Sequence, residues 1–181
     1  MSCCGWLGAK STRLFFGVAL FAVVADLATK WAAFSWVRAQ PDERVVVWPG
    51  RFELVERLNL HGIWSIGFGL ASMNTVLLVV CSLVVAGLVW YVPRRLPAGE
   101  RFHAILFGLI LGGAIGNIFD RAAFGGVRDF IQVYLWNGYA YPTFNVADSF
   151  LVCSLIAMFL FPPRLVDPAP AGGTGPVPAS T

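Results

Sequence analysis

The chain has 181 residues, 57% of them hydrophobic and only 13% charged, with a formal net charge of +3. Soluble domains carry roughly a quarter charged residues, so this composition excludes an ordinary soluble globule and points to one compact integral membrane bundle. The small net charge gives no case for nucleic acid as a partner.

Residues 1–13 form a short tail with Lys10 and Arg13. The first apolar segment, 14–37, is long enough to span a bilayer at about 1.5 Å per residue. It runs on past Asp26 and Lys30 to Trp36 without a good small-residue cleavage site, so it reads as a retained spanning helix. Residues 38–72 differ. RVVVW (44–48) and RFELVERLN (51–59) look like short strands separated by Pro49-Gly50. The glycine- and aromatic-rich HGIWSIGFGL (61–70) follows, and the whole region suits a small sheet and loop on the membrane surface. Trp48 and Trp64 are its expected headgroup anchors.

Residues 75–92 form an 18-residue run without a charge, read as a second spanning helix that stops at Pro93. The polar, basic link 93–103 leads into a third helix over 104–119. There Gly108, Gly112 and Gly116 repeat every four residues, a stripe that lets a neighbouring helix approach closely. Residues 120–145 return to loop and strand character. A fourth helix is expected over 146–161, closed by Pro162 and Pro163, and a disordered tail over 165–181. The predicted fold is thus a membrane all-α, four-helix bundle, one domain over 1–164, with a small sheet on its outer face.

Four crossings put both termini on one side. Lysine and arginine counts on the two sides are equal at six each. Density decides: Arg94, Arg95 and Arg101 share an 11-residue link, whereas the 38–72 loop spreads four arginines over 35 residues. Short basic loops stay in the cytoplasm, so the termini and that link are expected there and the strands outside.

The four cysteines form no CxxC pair, and His61 and His103 stand alone. No metal-ligand spacing, cofactor motif, Ser–His–Asp set or phosphate loop appears. Chemistry therefore falls to carboxylates beside apolar sequence, which are costly there and ask for a reason. Asp26 and Lys30 are four apart and share a helix face, suiting a structural ion pair. Asn117 and Asp120 share another face, and Arg121 beside Asp120 suits a structural charge or one that orients a reacting group. Nothing local explains Asp129 in GGVRDFIQVY. Asp148 is the N3 residue of a capping box begun by Asn145, so a purely structural role stays open. Asp129 and Asp148 lie 19 residues apart across a segment that can fold back as a hairpin. Two close carboxylates share one proton, so one can activate water while the other protonates the leaving group.

DLATK (26–30), GNIFDR (116–121), VRDF (127–130) and FNVADS (144–149) resemble, in order, the motifs of the lipoprotein signal peptidases, the type II signal peptidases of bacteria. The resemblance covers residues 16–161. It implies an aspartic membrane endopeptidase, without cofactor or metal, that cuts diacylglyceryl-modified prolipoproteins just before the lipidated cysteine. It places the catalytic pair on Asp129 and Asp148, and it is the resemblance, not spacing, that prefers Asp129 over Asp120. Asn117, Asp120, Arg121, Asn145, Asp26 and Lys30 fall on supporting positions. Asn59 falls on a substrate-binding position, although His61 and Ile63 depart from the family pattern beside it. The implied setting is the bacterial inner membrane, with prolipoproteins and membrane lipids as partners of a monomeric enzyme. The rival readings are a small proton-coupled transporter running through Asp26, Lys30 and Asp120, and a non-catalytic assembly factor.

Overall fold

The computed structural model describes residues 10–60, 70–97 and 99–165. The stretch containing His61, Trp64 and Ser65, the N-terminal cysteines Cys3 and Cys4, and the tail beyond 165 lie outside the described residues. The elements run α1 (Lys10–Arg38), β1 (Arg44–Trp48), β2 (Phe52–Asn59), α2 (Leu70–Arg95), α3 (Arg101–Phe124), β3 (Val127–Val133) and α4 (Val146–Leu160).

Three of these helices, α1, α2 and α3, are long and apolar enough to cross a membrane, while α4 has 15 residues. Their outward faces carry large apolar side chains such as Leu20, Leu83 and Leu155, which suits lipid rather than water as solvent. The helix ends differ from expectation where tertiary partners intervene. α2 does not stop at Pro93 but continues to Arg95, and the Leu96 N–H still bonds the Val92 carbonyl at 2.9 Å. A proline costs less in a last turn than in an interior. The last turn is also braced by Arg94 over the Trp90 ring at 3.6 Å and Arg95 over Tyr91 at 5.4 Å. α3 runs past 119 because Asp120 and Arg121, the charges that suggested its end, are buried inside the bundle. It stops at Gly125, whose φ of 73° is left-handed and whose N–H bonds the Arg121 carbonyl.

α3 is the central helix, packed on α1, α2 and α4. Its glycine stripe faces α1. A β-carbon on Gly108 would lie 2.7 Å from the Phe15 carbonyl oxygen, and one on Gly112 would lie 2.5 Å from both the Ala19 oxygen and Ala22 Cβ. One on Gly116 would strike the Asp26 carboxylate. Gly113, next around the helix, is close against α4, where a β-carbon would lie 2.9 Å from the Ala147 carbonyl oxygen. The stripe predicted for helix packing is thus the α1–α3 contact, with a second glycine serving α4.

The sheet is antiparallel with order β1-β2-β3. In its register Arg57 lies opposite Asp129 and Asn59 opposite Val127. It closes over the end of α1 through a cluster of Ala33, Phe34 and Phe130. A second cluster, built on Phe15, Ala19, Val92, Ala104 and Leu111, sits toward the other end of α1. Between the two, α1 presents Asp26 and Lys30, both 0% exposed. This polar layer, closed above and below by apolar packing, is where the candidate site lies.

Candidate active site

The layer is assembled from α1, α3, β2, β3 and the start of α4. Lys30 Nζ donates to Asp26 Oδ2 at 2.7 Å, the ion pair its spacing predicts. The other Asp26 oxygen accepts the Ala147 N–H at 3.0 Å. A backbone donor in the first turn of α4 is thereby satisfied by α1.

Asp120 is fully buried. The sequence suggested Arg121 as its partner, but the ion pairs come from elsewhere. Arg128, across the Gly125 turn, donates to Asp120 Oδ1 from Nε at 3.1 Å and from Nη2 at 2.7 Å. Asp120 Oδ2 accepts the Arg128 backbone N–H at 3.0 Å and faces Lys30 Nζ at 3.1 Å. A carboxylate offers about four lone-pair sites, and these four donors occupy them. Asp120 is a fastener between α1, α3 and the entry to β3. Arg128 was not singled out from sequence, since its eight-residue separation from Asp120 matches no helical or strand period. Arg121 is buried on the same helix, within electrostatic reach of Asp129 and Asp148 as well as Asp120.

Asp129 and Asp148 are placed differently. Asp129 is 1% exposed on β3. Its Oδ1 accepts from Asn145 Nδ2 at 2.7 Å and its Oδ2 from Asn59 Nδ2 at 3.0 Å. Asn59 therefore sits on the carboxyl of Asp129. Asp148 is half-buried in the first turn of α4. Its Oδ1 accepts from Asn117 Nδ2 at 2.9 Å, and its Oδ2 accepts the Asn145 N–H at 3.1 Å. Among the described residues each oxygen of this pair has one donor where each oxygen of Asp120 has two. Acceptor capacity for a proton or a water remains on both.

Asn145 joins the two carboxyls. Its side-chain oxygen accepts the Asp148 N–H at 2.9 Å, completing the capping box. That backbone group can only donate, so the amide NH2 must turn the other way, onto Asp129. The cap expected at Asn145–Asp148 is therefore present and also holds the two carboxyls together. The connection between them folds back as anticipated: Ile131 bridges Phe144, Tyr134 bridges Ala140, and the buried Gln132 donates to the Tyr141 carbonyl at 2.6 Å. Asp129 is pushed up to about 6, chiefly by burial and then by the charge of Asp148. Hydrogen bonds from Asn59 and Asn145, and the Lys30 charge, oppose that rise without cancelling it. One carboxyl of such a pair keeps its proton to a higher pH than an ordinary aspartate.

The chain matches known proteins across this whole arrangement. The family model described as signal peptidase (SPase) II matches residues 18–162. The lipoprotein signal peptidase of Bacillus subtilis (strain 168) is 33% identical over 147 residues, covering 81% of this chain and 91% of that protein. That of Vibrio cholerae serotype O1 (strain ATCC 39315 / El Tor Inaba N16961) is 32% identical over 149 residues, covering 79% and 82%. A bacterial membrane enzyme solved by the in meso method at 2.3 Å resolution shares the fold, with a TM-score of 0.68 and 26% identity over 81% of this chain and 85% of that one. With the family model spanning the helices, the sheet and every carboxylate of the polar layer, the chain belongs to the signal peptidase II family.

Proposed function

We propose that the protein removes signal peptides from diacylglyceryl-modified prolipoproteins, cutting before the lipidated cysteine, by an aspartic mechanism on Asp129 and Asp148. The observation that carries this is Asn145, bonded to both carboxyls, with acceptor capacity left on each among the described residues. Asp129, raised to about 6, is the proton holder of the pair. Asp148 takes a proton from the attacking water while Asp129 gives its own to the scissile carbonyl oxygen. The diol intermediate then collapses. Asp148 passes its proton to the leaving cysteine nitrogen, and the new carboxyl returns one to Asp129, so the pair is restored and one water is consumed. The transporter reading loses its support, because Asp26, Lys30 and Asp120 are 0% exposed and paired with one another.

The test is cleavage of a diacylglyceryl-modified precursor by the purified protein in detergent. The expected product begins with the lipidated cysteine, and the unmodified precursor stays intact. No cleavage by a protein shown to be folded would overturn the proposal.

We place α4 as a fourth crossing, so that both termini and the Arg94–Arg95–Arg101 link lie in the cytoplasm and the sheet outside, in the bacterial inner membrane. The dense basic link supports this orientation. A reporter fused after Arg95 is expected to behave as cytoplasmic, and one inserted at Gly50 as external. The reverse result would put the site on the wrong side for exported precursors.

A further inference from the structure

Lys30 makes no hydrogen bond to either carboxyl of the pair. Its ammonium donates to Asp26 Oδ2 at 2.7 Å and to Asn117 Oδ1 at 3.0 Å, and it forms an ion pair with Asp120 Oδ2 at 3.1 Å. The Asn117 contact decides the orientation of an amide. An ammonium can only donate, so it must face the amide oxygen. Asn145 Nδ2 approaches that same oxygen at 3.3 Å. The NH2 end of Asn117 is left to donate to Asp148 Oδ1 at 2.9 Å. Turned over, the amide would oppose N–H to N–H at Lys30 and oxygen to carboxylate at Asp148.

We infer that Lys30 is a positioning residue for the cleavage reaction, acting through Asn117 to keep an N–H donor on Asp148. The inference rests on the Asp129–Asp148 pair proposed above. That donor holds the Asp148 carboxyl in place beside Asn145 and Asp129. The groups facing the pair are Lys30 from α1, Asn117 and Arg121 from α3, Asn59 and Arg57 from β2, and Asn145 before α4. Of these, Lys30 at 3.0 Å and Asn145 at 3.3 Å both hold the Asn117 amide by its oxygen, Lys30 the closer of the two. An ion pair that only glued α1 to α3 would set stability and act on Asp129 through its charge, but the effect of Lys30→Met would then not depend on Asn117.

The test is a cycle of Lys30→Met, Asn117→Ala and the combined variant, read by kcat, KM and thermal melting. Each single change is expected to lower kcat by roughly 10–100-fold, the usual effect of losing a group that orients a reacting one, with KM little changed. The combined variant is expected to match Asn117→Ala within about twofold, because both act on one bond. If Lys30→Met melts early, Asp26→Asn/Lys30→Met removes both charges of the ion pair while keeping an oxygen for the Ala147 N–H. Asn117→Asp keeps an oxygen for Lys30 but loses the donor to Asp148, and is expected to lose turnover at unchanged KM. Losses that multiply in the combined variant, or full turnover by Asn117→Asp, would overturn the inference. Cleavage by Asp129→Asn or Asp148→Asn would instead sink the aspartic reading beneath it.

Discussion

Asp129→Asn and Asp148→Asn are each expected to abolish prolipoprotein cleavage, by roughly a thousandfold or more in kcat, because members of one catalytic unit fail together. The fold should survive both. Asparagine still offers Asp148's position an oxygen for the Asn145 N–H, and cap losses cost only about 0.5–2 kcal/mol. Asp129→Asn removes a buried carboxyl that is already held above its ordinary range. Melting in detergent checks the fold and the cleavage assay checks turnover. Substantial turnover by either variant would remove the aspartic mechanism.

The same pair gives the pH dependence. Asp129 must carry its proton to protonate the substrate, and it loses that proton as pH rises through about 6. In the free enzyme kcat/KM is therefore expected to fall above that value. The two causes of the rise can be separated. Asp148→Asn removes the second of them, the neighbouring charge, so Asp129 should titrate lower. Burial, the first cause, remains, so Asp129 should stay above an ordinary aspartate. Infrared titration of the carboxyl band in detergent reads this. An Asp129 that titrates unchanged without Asp148 would mean that the two do not act as a pair.

Gly112→Leu is expected to unfold or grossly destabilise the bundle. Overpacking a core costs about 1–3 kcal/mol when side chains can shift. Here even a β-carbon would meet the Ala19 carbonyl oxygen and Ala22 Cβ at 2.5 Å, so two helices would have to separate. Separation would also pull Gly116 from Asp26 and open the polar layer next to it. Gly17 and Gly87, with nothing within 4 Å of an added β-carbon, are the controls. Leucine there should melt like the parent apart from propensity, which favours leucine in a helix. A Gly112→Leu protein that melts with those controls would show that α1 and α3 do not close through the stripe.

The sequence by itself determined what depends on local order. Apolar runs located the four helices, an apolar run and an alternating one bounding Pro49-Gly50 found β1 and β2, and the four-residue glycine repeat announced the helix contact. Asp26–Lys30 and the Asn145–Asp148 cap were legible for the same reason, since each lies within one helical turn. Four motifs in order carried the family resemblance, and with it the preference for Asp129 that spacing alone could not supply. Only the tertiary structure decided which carboxylates are saturated. Asp120 and Asp129 look alike in sequence, each beside an arginine. Among the described residues, Lys30 and Arg128 converge on Asp120, whereas Asn59, from 70 residues away, and Asn145 give Asp129 one donor per oxygen. At the start of α4, which the Asn145 cap already marked, the tertiary structure adds the Asp26 carboxylate, 121 residues earlier in the chain, as acceptor for the Ala147 N–H. A buried carboxylate's chemistry depends on how many donors surround it. In this protein those donors come from four different elements, and no short-range pattern records that convergence.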